Sequence, residues 1–156
     1  MENVNKINFQ KSSVHKILAH SYSTHLFLFL IGVIFDIIFQ YKIFNNFLLM
    51  PIGALFLMFG TVLILWAQGT SRHLNTENIS KETFCHGPYR FTRTPTNFGL
   101  FFLVLGFGIV ANALFVILSS LVSFLIAKLV FLEKEEKVLA EKYGAPYLEY
   151  KKSVKF

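Results

Sequence analysis

Two polar clusters hold the residues able to do chemistry in this otherwise apolar chain. The first is HGPYRFTRTPTNFG, His86–Gly99, where Tyr89, Arg90, Arg93 and Thr94 crowd in front of Pro95. Donors and guanidinium groups at a helix N-terminus suit an anionic or carboxylate-bearing ligand, because the free N–H groups and the helix dipole reinforce the fixed positive charge. The second is EKEEKVLAEKYGAPYLEYKK, Glu133–Lys152. At 3.6 residues per turn Glu136, Leu139 and Tyr143 share one stripe with Glu135 at its flank, so carboxylates emerge together. Each cluster alone has a plain explanation: Thr94 as N-cap and Pro95 as first helical residue of a membrane helix, and the charge run as a solvated face. Placed on the same membrane surface, the two can enclose one pocket.

Metal chemistry is not expected. His15, His20, His25, His73 and His86 are scattered, His20 and His25 are five apart instead of the i,i+4 ligand spacing, and no Cys or carboxylate group completes a set. The single cysteine, Cys85, excludes an internal disulfide and is read as a small packing residue.

The elements that must position these clusters are membrane helices. The chain has 156 residues, of which 54% are hydrophobic, 19 are Phe and only 15% are charged, far from a soluble average. About 20 apolar residues cross the hydrocarbon core, and four spans follow, at approximately 17–39, 47–67, 95–110 and 113–132. The apolar run from Phe98 to Leu132 is too long for one crossing, so it is read as a tight helical hairpin reversing around Gly106, Gly108, Ala111 and Asn112. Helix four leaves the membrane near Leu132 and continues to a C-cap at Gly144. The expected fold is an all-α membrane protein: four transmembrane helices, a tight C-terminal helical hairpin and a cytoplasmic helical extension. It forms one integral-membrane domain, 1–156, with a site loop at 68–94 and a C-terminal segment at 133–156.

The net charge of +6 does not point to nucleic acid. Lys6, Lys11, Lys16, Arg72, Lys81, Arg90, Arg93 and six Lys from Lys134 to Lys155 fall on one side of the four spans, against Lys42 on the other. By the positive-inside rule that side, with both termini, is cytoplasmic, and the cations anchor the chain to membrane lipids. The first apolar run starts late and lacks a small-residue cleavage site, so no removable signal segment is expected. Asp36 is an intramembrane acid and hence a functional candidate, but its position near the outer surface favours simple solvation over a transport role. Trp66 and the span-end tyrosines read as interfacial anchors.

Two ordered motifs then carry a resemblance. GPYRFTR, followed by Pro95 and by Gly99 four residues later, precedes an apolar hairpin and then Glu135, Glu136, Leu139, Tyr143, Gly144, Tyr147, Tyr150 and Val154. This order resembles the integral-membrane methyltransferases, the isoprenylcysteine carboxyl methyltransferase and phospholipid N-methyltransferase families, over about Gly69 to Val154. The resemblance implies S-adenosylmethionine as cofactor, in a cytoplasmic pocket without a Rossmann fold, and a lipid-like or lipid-anchored methyl acceptor, carboxylate or amine, arriving from the bilayer. It implies that Tyr89, Thr94, Pro95, Thr96 and Asn97 line the cofactor pocket with the backbone around Thr83 and Phe84, and that Glu135 reaches the cofactor. Arg90 and Arg93 would neutralise a carboxylate of cofactor or acceptor. Glu136 would either hold the loop through an Arg or act as a base on an ammonium acceptor. Thr94 stands where those families most often have His, and Thr96 and Asn97 also depart from their pattern. A catalytically silent relative that binds lipid or a partner protein is therefore the second reading.

Overall fold

The computed structural model describes residues 2–43, 47–72 and 81–154, all helices and connections. His73, the 73–80 part of the expected loop, and Lys155 lie outside the described residues. Helix α1 spans Glu2–Phe39, α2 Met50–Arg72 after a 3-10 turn at Phe47–Leu49, and α3 is a single turn at Lys81–Phe84. A 3-10 turn, Gly87–Arg90, leads to α4 (Pro95–Val110) and α5 (Leu114–Ile126). A π-helical turn, Ala127–Phe131, joins α5 to α6 (Leu132–Tyr143), and α7 (Ala145–Ser153) closes the chain.

Three helical stretches are long and apolar enough to cross a membrane: Ala19–Phe39, Met50–Ser71 and Leu114–Tyr143. The fourth, α4, has 16 residues. The packing is inverted relative to a water-soluble protein. Large side chains such as Leu26, Phe27, Leu55, Phe59, Leu65 and Leu125 are exposed, while Ala67, Ser120, Ser123 and Ala127 are buried. Lipid is as apolar as Leu, so burying large aliphatic groups gains little there; close backbone approach through small residues holds the helices instead.

The α2–α4 seam shows how. A Cβ on Gly60 would stand 2.6 Å from the Gly99 carbonyl oxygen, and one on Gly106 would stand 2.6 Å from that of Gly53. Two reciprocal glycine pairs, seven residues apart on each antiparallel helix, thus let the backbones touch. Gly106 is therefore a packing position within α4, whose bounds match the expected 95–110, and Gly108 likewise abuts Ile117; the reversal lies beyond both. The turn falls on Ala111–Ala113, with Asn112 at φ +53. A polar side chain that tolerates the left-handed region suffices there. Across the α1–α5 seam Val116, Ser120, Ser123 and Ala127 form a buried stripe, and a Cβ on Gly32 would meet the Phe115 carbonyl oxygen. Ser120 and Ser123 satisfy their hydroxyls on backbone carbonyls one turn back, Ile117 and Ser120.

Asp36 is not simply solvated. Its two carboxylate oxygens accept the backbone N–H groups of Phe115 (3.1 Å) and Val116 (2.9 Å), the first turn of α5. Ala113, the N-cap of α5, provides no side-chain cap. A neighbouring helix thus supplies the anion that this helix N-terminus lacks. Asn112 Oδ1 accepts the Ile43 N–H at 2.9 Å, tying the connection after α1 to the same turn.

Helix α2 runs five residues past the expected span end, so the 68–72 portion of the anticipated loop is helical and Ser71 sits on its last turn. Gly144, at φ +63, ends α6 with its N–H on the Ala140 carbonyl, as its residue type predicts. Helix α7 then folds back against α3 and α6.

Candidate active site

The residues before α4 are shaped by local chemistry. Gly87, at φ +55, lies against Thr70 of α2, where a side chain would be doubly disfavoured. Pro88 is buried and its carbonyl accepts the N–H groups of Phe91 and Thr92, closing a tight turn. Thr94 takes the N-cap position of α4, but its hydroxyl caps nothing. Instead the Thr94 N–H donates to Thr92 Oγ1 at 3.3 Å. Pro95, first in the helix and fully buried, needs no N–H partner.

Helix α7 clamps this loop. The Tyr150 hydroxyl donates to the Tyr89 carbonyl at 2.8 Å. Phe84 meets Tyr143 and Tyr147 edge-to-face and Tyr150 at a tilt, with ring centroids 5.1, 5.6 and 5.7 Å away, and Cys85 packs into the same cluster. Glu136, buried on α6, pairs with Arg93 of the loop and, at 2.7 Å, with Lys151 Nζ of α7. Of the two roles anticipated for Glu136, the Arg93 contact is the one that the first, holding the loop through an Arg, requires.

Between these elements lies a cavity of about 190 Å³. Tyr89 and Arg93 of the loop, Glu135 of α6, Phe84, Tyr147 of α7 and Ser71 of α2 all line it. Loop and C-terminal cluster, more than 40 residues apart in sequence, therefore share one cavity. Glu135 makes no ion pair or hydrogen bond among the described residues, unlike its neighbour Glu136. Burial, then the Glu135 charge, raises the Tyr89 phenol above its ordinary pKa; burial, then Glu136 and Glu135, does the same for Tyr147. Burial also raises Tyr150. All three stay neutral hydroxyl donors at ordinary pH.

The remaining anticipated residues distribute around this centre. Thr96 lies beside the Tyr89 hydroxyl. Arg90 is exposed and is not among the residues that line this cavity, and the Thr83 carbonyl accepts from His86 Nδ1 at 3.3 Å. Thr94 and Asn97 instead line a second, small cavity of about 40 Å³ with Phe124, Ala127 and Lys128 of α5 and the π-helical turn. A separate apolar groove of about 430 Å³ lies between α2 and α4, walled by Phe59, Trp66, Phe98 and Phe102, away from the carboxylates. Among the described residues no three His, Cys, Asp or Glu side chains gather as metal ligands.

Sequence reasoning did not single out Ser71 or Lys151. Lys151 directly follows Tyr150 of the second motif, the one signal that could have found it.

Residues 48–146 match the family model described as phospholipid methyltransferase. The chain belongs to the phospholipid methyltransferase family. Comparison with the curated proteins and with the solved structures finds no match. The family segment holds Tyr89, Arg93, Glu135 and Glu136, and it ends before Tyr147, Tyr150 and Lys151. Helix α1 also lies outside it.

Proposed function

We propose that the chain is an S-adenosylmethionine-dependent methyltransferase embedded in the membrane, acting on a lipid-like or lipid-anchored acceptor at the cytoplasmic interface. Membership of the phospholipid methyltransferase family supports the reaction class. The observation that carries the reading is Glu135, a carboxylate with no described cation of its own, facing a cavity walled by aromatic rings. Carboxylate and π faces together suit a cationic ligand bearing a flat base, since a cation over an aromatic face gains roughly 0.5–2 kcal/mol. Those are the features of S-adenosylmethionine, and the residues present fit it.

The cofactor supplies, when bound, an electrophilic methyl group on a sulfonium. The chain's own residues do the rest. Glu135 offers its charge to the cationic side. Phe84, Tyr89 and Tyr147 wall the cavity and exclude water, so donor and acceptor meet aligned and desolvated. The exposed Arg90 of the loop is placed for a carboxylate or another anionic group. Arg93 holds the loop in register through Glu136, and Thr94, Pro95, Thr96 and Asn97 set the start of α4 beneath it. A carboxylate acceptor needs no base. An amine acceptor must lose a proton before its nitrogen attacks, and Glu135 is the unpaired carboxylate there to take it.

The topology that serves this reaction has four crossings, α4 being the short one at about 24 Å, with loop and both termini on the cytoplasmic side. The Lys and Arg distribution supports that orientation. A water-soluble donor then reaches the pocket from the cytoplasm and a greasy acceptor from the bilayer.

Calorimetry of S-adenosylmethionine binding to the detergent-solubilised protein, followed by radiolabelled methyl transfer into membrane lipid and small-molecule extracts, tests this. Binding and transfer are expected from the native chain, with Glu135→Gln weakening both at least tenfold. A folded protein that binds no cofactor rejects the enzyme in favour of a silent lipid- or partner-binding relative, the alternative suggested by Thr94, Thr96 and Asn97.

A further inference from the structure

Helix α1 lies outside the family segment, yet one of its side chains reaches the site. The Tyr22 hydroxyl lies beside Thr96 and within electrostatic reach of Glu135. The Tyr89 hydroxyl flanks the same threonine and neighbours Tyr22 and Ser71. Three hydroxyls from α1, the loop and α4 therefore neighbour one another, and Tyr89 among them shares its cavity with Glu135.

The face of α1 next to Tyr22 is held against the bundle. Ser21 and His25 are buried, and His25 Nδ1 donates to the Ser21 carbonyl at 2.9 Å, while α1 packs along α5 and α6. Tyr22 itself remains 37% exposed, and Leu26 and Leu30, one and two turns on, are 59% and 49% exposed. Residues i, i+4 and i+8 lie on one face. A lipid-exposed apolar stripe thus runs along α1 and ends in a hydroxyl at the site.

The apolar groove between α2 and α4 does not compete for this position. On α4, Phe107 meets Phe29 of α1 (ring centroids 5.5 Å), the side on which Thr96 also lies. Phe98 lies about 200° around the helix from Thr96 at 3.6 residues per turn, so the groove that Phe98 lines opens on the opposite flank.

Resting on the methyltransferase reading above, we propose that Tyr22 is a positioning residue for the methyl acceptor: its hydroxyl, with that of Thr96, holds the polar head of a chain-bearing acceptor beside Glu135 while the hydrocarbon lies along Leu26 and Leu30. The cofactor contacts stay with the loop, α6 and α7. Tyr22 accordingly sets acceptor affinity and leaves cofactor affinity alone.

The test uses the full chain in non-ionic detergent and two probes, dodecylamine and dodecanoate, whose binding is measured by calorimetry beside that of S-adenosylmethionine. The native chain is expected to bind one of the probes. Tyr22→Phe, which keeps the ring and loses one hydrogen bond, is expected to weaken that probe about fivefold, with S-adenosylmethionine affinity within twofold of native. Thr96→Val should act like Tyr22→Phe, and Thr96→Ser should restore binding. In methyl transfer to phosphatidylethanolamine vesicles or to a prenylated cysteine, the same variants should raise the acceptor KM with little change in kcat. Loss of cofactor affinity in step with probe affinity, an unchanged probe affinity in Tyr22→Phe, or a native chain that binds neither probe overturns the proposal. A native chain that binds a probe but no S-adenosylmethionine overturns the methyltransferase reading instead.

Discussion

Replacing Glu136 with Ala measures how the site loop is held. The residue is 6% exposed and joins Arg93 of the loop to Lys151 of α7. The two arms are unequal, because the Arg93 side chain is 15% exposed and that of Lys151 45%. A half-exposed lysine pair is worth about 0–1 kcal/mol. Removing one partner of a buried pair costs about 3–5 kcal/mol, since the other charge is left without compensation. Arg93 keeps a little access to water, so Glu136→Ala should cost about 3 kcal/mol and Lys151→Ala about 1 kcal/mol or less. At about 2–4 °C per kcal/mol for a chain of this size, the first lowers the unfolding midpoint by about 6–12 °C. Arg93→Ala combined with Glu136→Ala should recover part of the sum, because both single changes break the same contact, giving a coupling of about 2 kcal/mol. Circular dichroism during heating in mild detergent, repeated at several scan rates, reads these shifts. If Lys151→Ala lowers the midpoint as far as Glu136→Ala, or if the Arg93 and Glu136 effects simply add, the ranking of the two arms is wrong.

Three further outcomes follow from the same structure. Gly60→Ala and Gly106→Ala should each loosen the α2–α4 seam, because the new methyl meets backbone rather than a movable side chain, whereas Gly69→Ala, on an open face of α2, should be neutral or stabilising by about 0.5–1 kcal/mol; equal effects in unfolding scans would contradict the glycine pairing. Asp36→Ala should cost about 1–2 kcal/mol and speed amide exchange at Phe115 and Val116 specifically, while Asp36→Asn, which keeps one acceptor, should cost less. The raised phenols of Tyr89, Tyr147 and Tyr150 contribute stability that is complete below the ordinary tyrosine pKa of about 10 and is lost as pH rises through their higher folded values. Ultraviolet titration should show these phenols ionising late and together with unfolding, and Tyr147→Phe should move that transition to higher pH.

What could be read from the sequence rests on local physics or on the solvent. Hydropathy marks the spans because about 20 apolar residues must meet the hydrocarbon. Pro95 starts α4 and Gly144 ends α6 because one presets φ and the other tolerates φ above zero. The two polar clusters stood out because charge is costly near a bilayer, and Tyr89 and Glu135 do line one cavity. Local reasoning placed Thr94 correctly at the N-cap of α4 but not its bond, since its hydroxyl accepts no N–H of the first turn.

The tertiary structure decided every pairing through space. Asp36 finds its partners 79 and 80 residues away, so its task as the cap of another helix has no signature along the chain. Which of two adjacent glutamates is neutralised depends on a fraction of a turn of α6: Glu136 points between Arg93 and Lys151, while Glu135 points into the cavity. Gly53, Gly60, Gly99 and Gly106 gain meaning only when two antiparallel helices bring them into register. Tyr22 likewise comes beside Thr96 only because α1 docks on α5 and α6. Residue type and spacing determine which segments enter the membrane and which groups can react; contacts between distant segments, fixed by packing, determine which of those groups meet.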